Sequence, residues 1–481
     1  MIFNSLIYLL FLPTVLILLK IFGDKGKLAV LLLVSYVFYM WWNPSLIVLI
    51  LAATAVSYFC AVGIEKSRSK STRKAFLFLS LAALIGMLVF FKYFNFLAEL
   101  FSDAAGMLGI SMKPVSFDII LPVGISFYTF QTLSYVIDVY RGSISAEYNF
   151  GYYALYVSFF PQLVAGPIER PENLMPQLKN SVVFTSENIL AGLYTMSVGY
   201  FKKIAAADIL AGYVNSVYNS PEGKSGTSVI IAKLLFTVQI YCDFSGYSDI
   251  AIGTARLVGI KLMKNFDRPY SASSVKEFWD RWHISLSSWL RDYLYFPLGG
   301  SRKGKARTQL NIIVVFLVSG LWHGADLTFV LWGLIHGAAR VVENLLYPLR
   351  KKITEAVKVS RICSSLVSGT YKVVTFVFIS FTWLFFRANS IGDTSVLLDS
   401  VLHGTSLSIE SLDSAVQGMG MAQADVVLTI SVAAVLFLAD KIRPREEDGV
   451  FVTAKMFWFA ICAALLLASR GGASSFIYFQ F

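Results

Sequence analysis

Gly320-Leu321-Trp322-His323-Gly324 lies inside an apolar tract, residues 308–342, whose reading decides how the chain is built. The tract runs for about 35 residues and is interrupted at Gly320, Gly324, Gly333 and Gly337. One helix needs only ~20 residues to cross a bilayer, so the tract predicts two helical pieces meeting at Trp322-His323-Gly324. The imidazole would then stand at a break, where freed backbone groups and water gather. Ionisable side chains at membrane depth are costly and tend to be kept where they do chemistry. Asp326 follows three residues later, within reach on a helical turn. A carboxylate there would favour the protonated ring or hold one tautomer, as a general base requires. The competing reading of His323 is a structural histidine bonded to a nearby carbonyl.

Outward from this tract, composition sets the class. The 481 residues are 56% hydrophobic and 15% charged, with a mean hydropathy of +0.64. Soluble domains carry about 25% charged residues, so the chain is an all-α polytopic membrane protein. Apolar runs cover residues 6–22, 28–42, 46–64, 75–101, 119–137, 229–240, 373–386, 426–439 and 457–468. With weaker segments between them, about ten to eleven spans are expected. The first run lacks a small-residue cleavage site after it and reads as a retained helix rather than a signal peptide.

Basic residues give an orientation. Lys20, Lys25 and Lys27 lie between the first two runs, only Asn43 and Pro44 separate the next pair, and Lys66, Arg68, Lys70, Arg73 and Lys74 crowd the loop after that. This alternation fits the positive-inside rule with the N-terminus outside. The net charge of +11 therefore calls for no nucleic acid. Cys60, Cys242, Cys363 and Cys462 show no metal-ligand spacing, and no P-loop, dinucleotide fingerprint or His-Glu-x-x-His motif occurs.

The chain reads as a single membrane domain, 1–481, of changing texture: plain spanning helices over 1–117, a core over 118–342 and C-terminal helices over 343–481. Within the core, Pro, Gly and polar residues break the apolar stretches, which is tolerated only in protein or along a wet cavity. The stretch 274–295 places Trp279, Trp282, Leu286, Trp289 and Tyr293 at helical spacing opposite Lys276, Asp280, Arg281, Arg291 and Asp292. That pattern predicts an amphipathic helix in the membrane interface carrying His283. Asp243 and Asp249, with Ser245 and Ser248, form a polar island that must find partners or water. Structural hydrogen bonding is the better reading for the island, because six-residue spacing separates the two carboxylates. His336 points to another helical face and reads as packing, and His403 lies in a loop-like region.

Several ordered blocks resemble the membrane-bound O-acyltransferase (MBOAT) family. They include Leu121-Pro122-Val123-Gly124-Ile125-Ser126-Phe127-Tyr128, Phe160-Pro161-Gln162-Leu163-Val164-Ala165-Gly166-Pro167 and Gln239-Ile240-Tyr241-Cys242-Asp243-Phe244-Ser245-Gly246-Tyr247-Ser248-Asp249. Asn265-Phe266-Asp267-Arg268-Pro269-Tyr270, Arg281-Trp282-His283-Ile284-Ser285-Leu286-Ser287, Leu321-Trp322-His323-Gly324 and Trp383-Leu384-Phe385-Phe386-Arg387-Ala388 continue the match. The likeness runs from about residue 2 to 390 and is nearest to the bacterial alginate and peptidoglycan O-acetylation branch.

The resemblance implies a ring of about ten to eleven tilted helices, with interfacial and re-entrant pieces, around a central tunnel. It implies catalysis by His323 with His283 at the family's second polar position. Trp322, Asp326, Asp243, Ser245 and Asn265 would support the site or line the tunnel. Acetyl-CoA is the implied acyl donor, with no metal. The acetyl group would cross the bacterial inner membrane to an extracytoplasmic polysaccharide, directly or through a separate periplasmic O-acetyltransferase. D-alanyl transfer to teichoic acid from a carrier-protein thioester is the related alternative, and a proton-coupled transporter is the alternative of another class. The basic pairs and runs at Lys202-Lys203 and Arg302, Lys303, Lys305 and Arg307 suit either coenzyme A phosphates or the positive-inside rule.

Overall fold

In a computed structural model, residues 1–431 are described apart from 165, 182–183, 358–359, 423–424 and 428. The described residues form helices joined by turns, with no strand among them. Among the described residues, six helical stretches are long and apolar enough to cross a membrane: Leu6–Met40, Pro44–Lys66, Lys70–Met107, Gly226–Leu257, Leu327–Val357 and Arg361–Arg387. The expected run 457–468 and most of 426–439 fall outside the described residues. Two compact units emerge, one of Met1–Met196 with Tyr247–Met263, the other of Ser197–Gly246 with the described residues from Lys264 onward.

In the first unit, helix α1 (Leu6–Met40) joins the two N-terminal apolar runs. They are two helical pieces that meet at a kink, where Gly23 leaves the helical backbone at φ 56° and ψ −158°, a state open to glycine without a Cβ penalty. Lys27, expected in a connecting loop, is buried and donates to Asn180 O. α2 (Ile47–Lys66) packs on α3 (Lys70–Leu88). A Cβ on Gly63 would stand 2.8 Å from the Phe76 ring. The expected span at 119–137 is helical only from Ile125, in α4 (Ile125–Arg141), because Gly124 takes φ 77°.

The second unit carries both histidine motifs. α5 (Gly226–Leu257) contributes its first part here. The amphipathic stretch 274–295 is not one interfacial helix. It forms two short helices, α6 (Val275–Arg281) and α7 (Ile284–Leu290), broken at Trp282-His283. Trp279, Trp282, Leu286 and Trp289 are buried in protein. Their helical spacing is real, but their partners are other rings rather than lipid.

The tract 308–342 forms the two expected pieces, α8 (Lys305–His323) and α9 (Leu327–Val357). Glycines set their separation. A Cβ on Gly320 would lie 2.2 Å from Phe329 O, and one on Gly333 would lie 2.4 Å from Phe316 O. Small residues let helix backbones approach this closely. α10 (Arg361–Arg387) then packs on α9.

Candidate active site

His323 is the last residue of α8 and is 2% exposed; His283, in the α6–α7 break, is 0% exposed. Their ring centroids are 6.2 Å apart, although forty positions separate them in sequence. Around His323 stand Trp322 at 5.0 Å, Trp332 at 5.2 Å and Phe386 at 5.3 Å. Trp322 also meets His283 at 5.4 Å, and Phe244 meets His283 edge-on at 4.7 Å. The second unit thus brings residues from α5, the α6–α7 break, α8, α9 and α10 to one buried cluster of rings.

Local backbone bonds fix His283. Asp267 N donates to Arg281 O and Ile284 N donates to Asn265 O, both at 2.9 Å, so residues 265–267 run beside 281–284. The His283 Nδ1 lies 3.1 Å from Asn265 Oδ1. That oxygen also accepts from Ser285 Oγ at 2.9 Å and Ser285 N at 3.3 Å. A backbone N–H only donates, so the Asn265 atom is the amide oxygen and His283 carries its proton on Nδ1. The ring's lone pair is left on Nε2, which is buried and has no hydrogen-bond partner among the described residues. Burial pushes the His283 pKa down to about 3, which keeps the ring neutral at physiological pH.

Asp326 lies beyond the end of α8, so the expected helical turn to His323 does not form; its Oδ1 accepts from Thr328 N at 2.7 Å at the start of α9. Asp243 is buried and ion-paired at 2.7 Å with Lys203, which pairs equally closely with Asp208. Burial works against the Lys203 charge, yet Asp243 and Asp208 outweigh it and hold the ammonium above the usual lysine range. Lys202 and Lys203 are both buried, and Lys202 lies over the Tyr241 ring. They are therefore not the exposed basic loop expected for phosphates, whereas Arg302, Lys303, Lys305 and Arg307 are exposed. Ser245 Oγ is buried and has no hydrogen-bond partner among the described residues.

His336, read from the sequence as packing, is hydrogen-bonded at both ring nitrogens. Trp279 Nε1 donates to its Nδ1 at 3.2 Å, and its Nε2 donates to Thr382 Oγ1 at 3.0 Å. Trp332 and Phe386 were missed as neighbours of His323. Trp332 stands nine residues after it outside any quoted motif, and Phe386 belongs to the block 383–388, whose spacing from His323 gives no sign of contact. Among the described residues no three His, Cys, Asp or Glu side chains cluster as metal ligands.

Comparison with known proteins adds an independent line. Residues 141–386 match the membrane-bound O-acyltransferase family. A protein of Pseudomonas aeruginosa named a probable alginate O-acetylase is 38% identical over 395 residues, 81% of this chain and 73% of that one. A Pseudomonas putida protein of the same name is 34% identical over the full length of both. The peptidoglycan O-acetyltransferase of Helicobacter pylori is 32% identical over 94% of this chain and 91% of its own.

Proposed function

Because the chain belongs to the membrane-bound O-acyltransferase family and is an O-acyltransferase of its alginate and peptidoglycan O-acetylation branch, we propose the following reaction. An acetyl group leaves a cytoplasmic thioester, acetyl-CoA, and is carried across the bacterial inner membrane. It ends on a hydroxyl of an extracytoplasmic polysaccharide, directly or through a separate periplasmic transferase. The ring of ten to eleven spans around a tunnel, with the N-terminus outside, is part of this proposal and rests on family membership and loop charge.

The observation that carries the reading is the burial of His323 and His283 at 6.2 Å within one aromatic cluster. His323 acts as the base that takes the proton of the attacking hydroxyl. His283 has its only N–H directed to Asn265, so its Nε2 accepts a hydrogen bond from an N–H or O–H of a substrate and orients it. The exposed basic residues Arg302, Lys303, Lys305 and Arg307 at the start of α8 are available to coenzyme A phosphates on the cytoplasmic side.

The test is acetyl transfer in proteoliposomes from labelled acetyl-CoA to an oligosaccharide of alginate or peptidoglycan. His323→Ala should lower the rate by at least about 10²-fold, the range of general-base catalysis. Full activity in that variant would sink the mechanism. Label delivered only from an aminoacylated carrier protein would move the assignment to D-alanyl transfer, and proton flux without thioester consumption would favour transport.

A further inference from the structure

Acyl transfer needs a hydrogen-bond donor for the oxygen that gains charge at the tetrahedral stage, as well as a base. His283 cannot serve as that donor, since its single proton is on Nδ1 and faces Asn265. His336 cannot either, since its Nε2 proton goes to Thr382. Trp332 offers a rigid donor beside His323. Trp332 Nε1 is buried, with the residue 0% exposed, and has no hydrogen-bond partner among the described residues.

An indole N–H only donates, and burying one without an acceptor is destabilising. An orphan of this kind in a native site calls for a catalytic role or an absent ligand. The Trp332 ring meets His323 edge-on, at 5.2 Å and 89°. It is stacked on Trp383 at 5.8 Å and 19° and braced by Trp279, His336 and Phe386. Ser245, Thr328 and Ser380 also have buried hydroxyls without partners. A hydroxyl turns about its C–O bond, whereas the indole N–H lies fixed in a braced ring, the preorganisation that charge stabilisation uses.

We propose that Trp332 is a catalytic residue whose Nε1–H binds the carbonyl oxygen of the acyl thioester and holds the oxyanion. The inference rests on the acyltransfer reading above. The acceptor hydroxyl oxygen bonds to the thioester carbon while its proton passes to His323 and the carbonyl π pair moves onto oxygen, where Trp332 donates to it. The pair then returns, the carbon–sulfur bond breaks, and the departing sulfur takes the proton from His323 to leave as the thiol. Atoms and charge balance with the two substrates alone.

The experiment is acetyl transfer by the full-length protein in proteoliposomes with acetyl-CoA, comparing wild type with Trp332→Phe, which keeps a ring and removes the N–H. The expected result is a kcat about 10²-fold lower, with the KM for acetyl-CoA within about two-fold and an unchanged melting temperature. A kcat within two-fold of wild type overturns the proposal and leaves the acyltransfer reading standing. No transfer by the wild type overturns both. If Trp332→Phe melts lower, Trp332→His decides by restoring a ring N–H. More turnover per folded molecule than Trp332→Phe supports the proposal, and equal turnover overturns it.

Discussion

The Nδ1 proton of His283 ends on Asn265 Oδ1, 3.1 Å away, and the same oxygen gathers both donors of Ser285. One amide thereby sets the tautomer of a buried ring and the start of α7. Asn265→Ala strands these donors, and each buried group left unsatisfied costs roughly 1–3 kcal/mol. The expected outcome is a lower melting temperature and loss of most acetyl transfer. Asn265→Asp keeps the acceptor and should retain the fold, as thermal unfolding in detergent would show. Equal melting temperatures for Asn265→Ala and wild type would remove the lock from the argument.

Acid should weaken the fold through His283. Its pKa is about 3 in the folded protein and roughly 6.5 in an unfolded chain. Between these values the unfolded chain holds more protons, so stability rises with pH and is lost as pH falls from about 6.5 towards 3. One such proton gives a slope of at most about 1.4 kcal/mol per pH unit. Melting curves at pH 7 and pH 5 should show a larger drop for wild type than for His283→Asn, whose side chain does not titrate. Parallel drops would assign the acid sensitivity elsewhere.

The α8–α9 contact is set by backbone proximity rather than side-chain bulk. Gly320→Ala and Gly333→Ala each place a methyl group within 2.4 Å of a facing carbonyl oxygen. Overpacking of this kind typically costs about 1–3 kcal/mol. Because His323 ends α8, the same shift should displace the ring and lower acetyl transfer beyond the stability loss. Activity per folded molecule, measured after removal of aggregate, separates the two effects.

Lys203 sits between two buried carboxylates, Asp208 and Asp243, at 2.7 Å from each. Removing one member of a buried charged set costs about 3–5 kcal/mol because charge is left uncompensated. Lys203→Met should therefore fold poorly, and Lys203→Met with Asp243→Asn should recover part of the loss. Yield and melting temperature of the pair are the readout; no recovery in the double variant would mean that the ion pair is not the cause.

The helical class and the division of the tract at Trp322-His323-Gly324 were legible in the sequence, because long apolar runs and interrupting glycines are local signals. The pairing of His323 with His283 came from family resemblance and not from spacing. Local reading stopped at partners distant in sequence. Lys203 looked like a basic loop because its carboxylates stand 5 and 40 positions away. Trp279 and Trp282 looked interfacial because periodicity shows that a face is apolar without saying what covers it. Asp326 looked close to His323 because the turn was assumed to continue, whereas α8 stops at the histidine.

His283 also has a backbone cost. It adopts φ 44° and ψ 53°, the left-handed region that disfavours side chains with a Cβ by roughly 1–2 kcal/mol. Glycine would hold the α6–α7 break at lower conformational energy, and asparagine would tolerate it. A sequence optimised only for thermal endurance would therefore drift away from histidine at this position. Screens that select this protein for stability alone should be expected to recover substitutions at 283 that improve handling and impair turnover.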